Sequence, residues 1–302
     1  MLNRIKTIFS RSSNNNQFGV ALRSHIGSFA IKNKDGSSAV DEYFTETTET
    51  VGDWLEQLLA EQKVAGEGYL VLSGNHYHNV QINKPDLPDD EIPAALKWLV
   101  KDIVPIEPDD MIVDYYDSPV VVAGIQKINV ICCHLSHLKK FTDSFKRYQN
   151  KLLGIITDEF AFANLIEDST KPVMLLCQQP FEDVFLIIVF NGQIYLSRRL
   201  RGFNELGGYS EQQLSEGICD ALSVELQKSM DYFERQLKQA PINEIKVLLP
   251  IKHEKFVVEK LNRNANIDVS LLPLPESFEH MRAAAASVGG MMELQKAGAE
   301  DE

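Results

Sequence analysis

Phe185-Leu-Ile-Ile-Val-Phe190, Asn191-Gly192, Gln193-Ile-Tyr-Leu-Ser-Arg-Arg199 spells out a β-hairpin. Asn-Gly between two β-rich runs predicts a two-residue turn of type I′, because both turn positions require positive φ. The first strand is apolar at every position, which places it in a sheet covered on both faces. Just upstream, Cys177-Gln-Gln-Pro-Phe-Glu-Asp183 contains a proline and no glycine. A turn that cradles phosphate by its backbone needs glycine's freedom and missing Cβ, so this one is not built for that task.

Around the hairpin the chain reads as alternating strands and helices. Downstream, Ser210-Glu-Gln-Gln213 fits a capping box opening a long helix whose stripe is Leu214, Ile218, Leu222, Leu226, Met230, Phe233 and Leu237. That span has room for a kink or a second helix. Strand Ile245–Leu249, helix 252–263, strand Ile267–Leu272 and helix Ser277–Leu294 complete an α/β pattern. Upstream, Phe18–Ile31 is a second hairpin, Val51–Lys63 an amphipathic helix, and Tyr69–Leu72 and Val80–Ile82 are strands. Lys84-Pro-Asp-Leu-Pro-Asp-Asp90 is dense in turn residues and marks a boundary. Beyond it come a helix to Ile103 with Pro93 in its first turn, strands at Val120–Ile125 and Ile128–Cys133, and a helix with Leu138, Phe141, Phe145 and Leu152 on one face. Strand Leu153–Thr157 and helix Phe160–Ile166 follow. The expected organisation is a basic start and linker (1–17), a first lobe (18–85 with 152–170), an inserted subdomain (86–151), a second lobe (171–294) and an acidic tail (295–302).

Composition narrows function by exclusion. At 302 residues, 44% hydrophobic and 24% charged, the chain has the makings of a globular protein of one large or two medium cores. A net charge of −13 leaves no basic surplus to displace counterions, which argues against a nucleic-acid partner. No stretch approaches the roughly eighteen apolar residues of a membrane span, so a cytosolic location, free or on the inner face of a membrane, is expected. Residues 1–11 are the exception to the acidic character: Leu2, Ile5, Ile8 and Phe9 at helical spacing with Arg4, Lys6 and Arg11 and no acids. Leu2, Arg4, Ile5, Lys6, Ile8 and Phe9 suit either a weak contact with anionic lipid, which needs a second anchor, or a frayed terminus.

The chemistry-bearing residues specify no enzyme. There is no Gly-x-Ser-x-Gly, no phosphate-binding Gly-x-x-x-x-Gly-Lys and no Gly-x-Gly-x-x-Gly. The carboxylates Asp114, Asp117, Asp158, Glu159 and Asp183 are unpaired by sequence, and Asp158 and Asp183 read as strand ends or helix caps. Cys132, Cys133, Cys177 and Cys219 read as buried reduced thiols. Cys132-Cys133-His134…His137 lacks zinc spacing, since neighbours on a strand face opposite ways, and His76 and His78 share a face without a third ligand. No metal is expected.

Several phrases taken together resemble the PilM family of type IV pilus assembly proteins, which has an actin-like fold related to FtsA. Glu211–Gln236 (EQQLSEGICDALSVELQKSMDYFERQ) resembles that family's helix after the hairpin, and Val100–Tyr116 (VKDIVPIEPDDMIVDYY) resembles a segment of its inserted subdomain. Phe190–Arg198 (FNGQIYLSR) is similar to its strand leading into the second lobe. Ala284–Met292 (AAASVGGMM) sits where the family carries an adenosine-contacting turn. The likeness extends to the PilM-type component of the mannose-sensitive haemagglutinin (MSHA) pilus.

The resemblance implies an α/β, two-lobed actin-like ATPase fold of the FtsA/PilM type with an α/β subdomain inserted in the first lobe. It implies a cytoplasmic scaffold, peripheral on the inner membrane of a Gram-negative bacterium. Its partner would be a PilN-like inner-membrane protein, MshJ in that system, docked by its N-terminal tail. The family's acid and glycine in the first phosphate turn fall on Ala21 and Arg23, and the second turn, near Cys177–Pro180, lacks both. A degenerate nucleotide site and no cofactor are therefore expected. The rival reading is an ATP-binding, magnesium-dependent switch, for which Ser24, Gly207, Gly208, Gly289 and Gly290 are the residues the resemblance offers.

Overall fold

The computed structural model describes residues 16–23, 26–44, 51–61, 64–166 and 170–299, with side chains as far as 294. The chain opens with β1 (Gln17–Leu22), β2 (Ile26–Lys32) and β3 (Ser38–Phe44), a meander whose third strand sequence analysis missed. α1 (Val51–Ala60) leads to β4 (Glu67–Leu72), which pairs parallel to β1. β5 (Tyr77–Asn83), α2 (Ile92–Val100), β6 (Met111–Asp117), β7 (Lys127–His134) and α3 (Leu135–Arg147) follow. β8 (Lys151–Thr157) then joins β4 in parallel, and α4 (Asp158–Ala163) ends this stretch.

Two sheets result. The five-stranded one runs β3-β2-β1-β4-β8, and a three-stranded antiparallel one runs β5-β7-β6. Alternation along β1 sorts the larger sheet's faces. Phe18, Val20 and Leu22 join Leu55, Leu58 and Leu59 of α1 and Phe141 and Phe145 of α3 in one core. The Phe18 and Phe145 rings stack at 5.9 Å.

On the three-stranded sheet, Ile128, Val130 and Cys132 of β7 pack with Ile92, Leu96 and Val100 of α2. Cys133, one residue on, turns to the other side and joins the core of the larger sheet. Burial raises both thiols, Cys132 to about 11 and Cys133 to about 12.

From β9 (Val173–Cys177), β10 (Val184–Phe190) and β11 (Gln193–Leu200) a second unit forms, the hairpin being the one legible at the outset. Asn191 (φ 49°) and Gly192 (φ 70°) both take positive φ, as the turn demands. β10 is buried along its length except at Phe190. α5 (Glu211–Gln213) carries the expected capping box with Ser210, and α6 (Cys219–Asp231) continues it. The kink anticipated in this span lies at Gly217, whose φ of 127° suits glycine alone. β12 (Glu244–Leu248), α7 (Glu254–Asn264) and β13 (Asp268–Leu271) complete the sheet β11-β10-β9-β12-β13. α8 (Ala285–Ala299) then returns to the first unit. Each unit thus has one antiparallel hairpin edge followed by parallel strands.

The expected boundaries need three corrections. The insert's sheet begins at β5 rather than after residue 85, because Tyr77–Asn83 pairs with β7. Its last helix, α3, packs in the core of the five-stranded sheet instead, while Leu152 lies in β8 rather than on that helix. The terminal helix, assigned to the second lobe (171–294), belongs to the first unit. It packs so closely on β1 that a Cβ at Gly19 would sit 2.0 Å from the Ser287 carbonyl oxygen.

Val120–Ile125 is also not a strand. Val122 and Ile125 exchange backbone hydrogen bonds across Ala123 and Gly124, which both take positive φ, so the run folds back on itself. The pairing strand is β6, earlier in the chain. Among the described residues no helix is long and apolar enough to cross a membrane.

Candidate functional site

Open α/β sheets bind ligands beyond the carboxyl ends of their parallel strands, where loops leave and backbone groups are not spent on the ladder. In the first unit those ends are Arg23 after β1, Ser73 after β4, and Thr157 and Asp158 where β8 meets α4. All four are buried, as is Glu159. Register sets Leu72 beside Thr157, and backbone bonds fix Ser73: its amide donates to the Leu22 carbonyl (3.1 Å) and its carbonyl accepts the His76 amide (2.9 Å).

The two carboxylates are positioned from β5. Tyr77 donates its phenol proton to Asp158 Oδ1 at 2.6 Å, and Asn79 Nδ2 donates to Glu159 Oε2 at 2.9 Å. Tyr116 of β6 stands edge-on to Phe160 at 5.0 Å, and burial beside Glu159 raises its phenol far above the usual tyrosine range. Burial likewise lowers His76, against a hydrogen bond to the Arg23 backbone, so its imidazole is neutral near pH 7. Ser73 Oγ, His76 Nε2 and Thr157 Oγ1 are buried and have no hydrogen-bond partner among the described residues. Two hydroxyls and a neutral imidazole can each donate or accept, so this end is chemically equipped to hold a small polar group.

The first turn offers phosphate little. Ala21 pairs with Ser28 in the ladder and has no side-chain oxygen for a cation. Arg23 Nη2 lies 2.5 Å from Glu42 Oε1 on β3, its guanidinium buried. Ser24 falls outside the described residues, as do Leu2, Arg4, Ile5, Lys6, Ile8 and Phe9.

The second unit treats its strand ends differently. Gln178, after β9, donates Nε2 to the carbonyls of Glu182 (2.8 Å) and Phe203 (3.0 Å), tying its turn to the loop beyond β11. Phe181 at the tip has φ of 64° and is 77% exposed, an uncommon conformation for a bulky residue. Beyond β12, Arg282 bridges the Leu272 and Val247 carbonyls and the Glu254 carboxylate, which also accepts the Leu249 amide. Burial pushes the Glu254 carboxyl up, against the pull of Arg282.

Of the glycines offered for a nucleotide, Gly207 and Gly208 sit in an exposed turn of the second unit, Gly207 near Ile251. Gly289 and Gly290 do not form a turn; they lie inside α8, buried. A Cβ on Gly289 would come 1.9 Å from the Ala161 carbonyl oxygen, and one on Gly290 2.4 Å from Val71. Their small size is used for close packing. Among the described residues no group of three His, Cys, Asp or Glu side chains is placed to hold a metal. His134 instead meets Asp110 at 2.8 Å. Sequence analysis missed Ser73, Thr157, Tyr77, Asn79 and Tyr116; the available signal was the polar step ending each apolar run, Leu70-Val-Leu-Ser73 and Ile155-Ile-Thr-Asp158.

No protein-family model matches the chain, and no curated protein matches it in sequence. Among solved structures it is similar to a PilM-PilN type IV pilus biogenesis complex, with TM-score 0.66 and 13% identity over 92% of this chain and 98% of that one. It is also similar to a Bacteroides thetaiotaomicron protein of unknown function with an actin-like ATPase fold, with TM-score 0.52 and 11% identity over 86% and 91% of the two chains. The chain has the actin-like ATPase fold.

Proposed function

We propose that this chain is a non-catalytic cytoplasmic scaffold of a type IV pilus assembly platform of the MSHA kind. It holds the extended N-terminal tail of a PilN-like inner-membrane protein, MshJ in such a system, between the first lobe and the three-stranded insert. The observation that carries this reading is the likeness to the PilM-PilN complex over 92% of the chain. An extended tail would be held by main-chain hydrogen bonds and a few apolar pockets. Residues 1–11 would add a weak contact with anionic lipid, so that two marginal anchors act together. The acidic surface suits a protein partner and not nucleic acid.

Loss of nucleotide chemistry is part of the proposal. Ala21 in place of an acid, Arg23 bonded to Glu42 and a second turn without glycine support it. Magnesium on a triphosphate needs oxygen ligands, and neither turn supplies a carboxylate where the family carries one. The polar end formed by Ser73, His76 and Thr157 favours a second reading, a nucleotide-dependent switch.

Two measurements separate the readings. A synthetic peptide of the partner's cytosolic tail should be retained by the immobilised full chain, and no retention would defeat the scaffold. Calorimetry with Mg-ATP should show no saturable binding at millimolar nucleotide; saturable binding would establish the switch.

A further inference from the structure

β11 is the outer strand of the second unit's sheet and, among the described residues, pairs only with β10. Its register slips by one residue: Ile188 pairs with Leu196 and Val189 with Ile194. Tyr195 therefore bulges, and its ring meets Phe233 edge-on at 5.8 Å. Between β11 and α6, with the wider turn Tyr232–Gln236 that continues that helix, opens a groove of about 400 Å³. Leu196, Arg198, Lys228, Tyr232 and Gln236 line it. Arg198 is folded back across this groove: its Nη2 meets Glu225 Oε2 at 2.5 Å and its Nη1 donates to Ser229 Oγ at 3.3 Å. Lys228 Nζ meets the other oxygen of Glu225 at 2.7 Å. Two cations thus share one carboxylate, while neighbouring Asp231 is paired with Arg235 (3.5 Å). A guanidinium has five N–H donors and an ammonium three, so among the described residues both keep donors to spare.

We propose that this edge and groove bind an extended acidic segment of a partner protein, which adds a strand to β11. Three observations point there. An outer strand keeps a row of amide and carbonyl groups that no described strand uses, the template for strand addition. In a chain of net charge −13, the groove carries one more cation than anion, so a carboxylate is attracted here. Arg198 is already pinned by Glu225 and Ser229, so less freedom is lost on binding than for an edge arginine loose in solvent. Spacing follows from the pleat. Leu196 and Arg198 line the groove two residues apart, so the added strand sets an apolar side chain by Leu196 and Tyr232 and a carboxylate by Arg198 and Lys228. The partner's pattern is therefore an acid two residues from an apolar side chain. The site belongs to the second unit alone and is independent of the pilus reading.

The test is selection of displayed random decapeptides on the immobilised full chain. Peptides with Asp or Glu two residues from an apolar residue should be enriched. Arg198→Gln with Lys228→Gln should lower their recovery about tenfold. Arg198→Glu with Lys228→Glu should instead enrich Lys or Arg at the acid's position, which a damaged fold would not. A synthetic copy of the best binder, methylated on alternate backbone nitrogens, should lose binding in one of the two phases, because strand addition uses those N–H groups. Failure to enrich the pattern, equal recovery on the glutamine pair, or tolerance of methylation in both phases would overturn the proposal. So would displacement of the peptide by low-millimolar inorganic phosphate, which marks a small-anion site, or a dimer of the chain that the same substitutions dissolve.

Discussion

The two units run the same strand order and finish their parallel strands in opposite ways. In the second, Gln178 and Arg282 spend their donors on carbonyls and on Glu254, so the strand ends are cross-tied. In the first, Ser73 Oγ, Thr157 Oγ1 and His76 Nε2 are buried atoms that no described residue satisfies. A buried polar atom without a partner costs roughly 1–3 kcal/mol, so three at one strand end favour a contact there with a group beyond the described residues. The contrast separates an end cross-tied among the described residues from one that is not.

The largest effect should come from cutting the cross-tie. Arg282→Ala leaves Glu254 buried without its cation and should lower unfolding stability by about 3–5 kcal/mol, read from urea midpoints. A loss under 1 kcal/mol would remove the distinction between the units. Next is Gly289→Ala, which drives a methyl into the Ala161 carbonyl and should cost roughly 1–3 kcal/mol by the same measurement.

A pH comparison sharpens the other side. His76 has its pKa lowered in the fold by burial, so below its ordinary value of about 6.5 the unfolded chain binds the extra proton first. Its contribution is present above pH 6.5 and is lost as pH falls through the folded value. The wild-type midpoint should therefore drop more between pH 7.5 and 5.5 than that of His76→Gln. Smallest is Thr157→Val: removing a hydroxyl that bonds nothing among the described residues should change stability by less than about 1 kcal/mol or raise it. A large loss would show that Thr157 is already engaged.

What the sequence disclosed depended on how local the cause was. Asn191-Gly192 and the Ser210–Gln213 box act within a few residues, and both formed as read. Met111–Asp117 was passed over because Asp114 and Asp117 break an apolar run, although an edge strand tolerates them. Val120–Ile125 misled in the other direction, its valines reading as strand while Ala123-Gly124 reversed the chain. The carboxyl-end cluster draws on Arg23, Ser73 and Thr157, more than a hundred residues from first to last. Only the parallel crossovers from β1 to β4 to β8 bring them together, and no spacing rule records that. The glycines of α8 lie in the helix expected over Ser277–Leu294, not in the turn that the resemblance implied, and their reason, contact with Ala161 and Val71, lies across the fold.

The adjacent thiols of β7 have a practical consequence. Because Cys132 points into the insert's core and Cys133 into the neighbouring one, a membrane-permeant alkylating reagent would meet each only when its own layer opens. One dipeptide thus holds two clocks, and the order in which they are modified would tell which half of this unit breathes first.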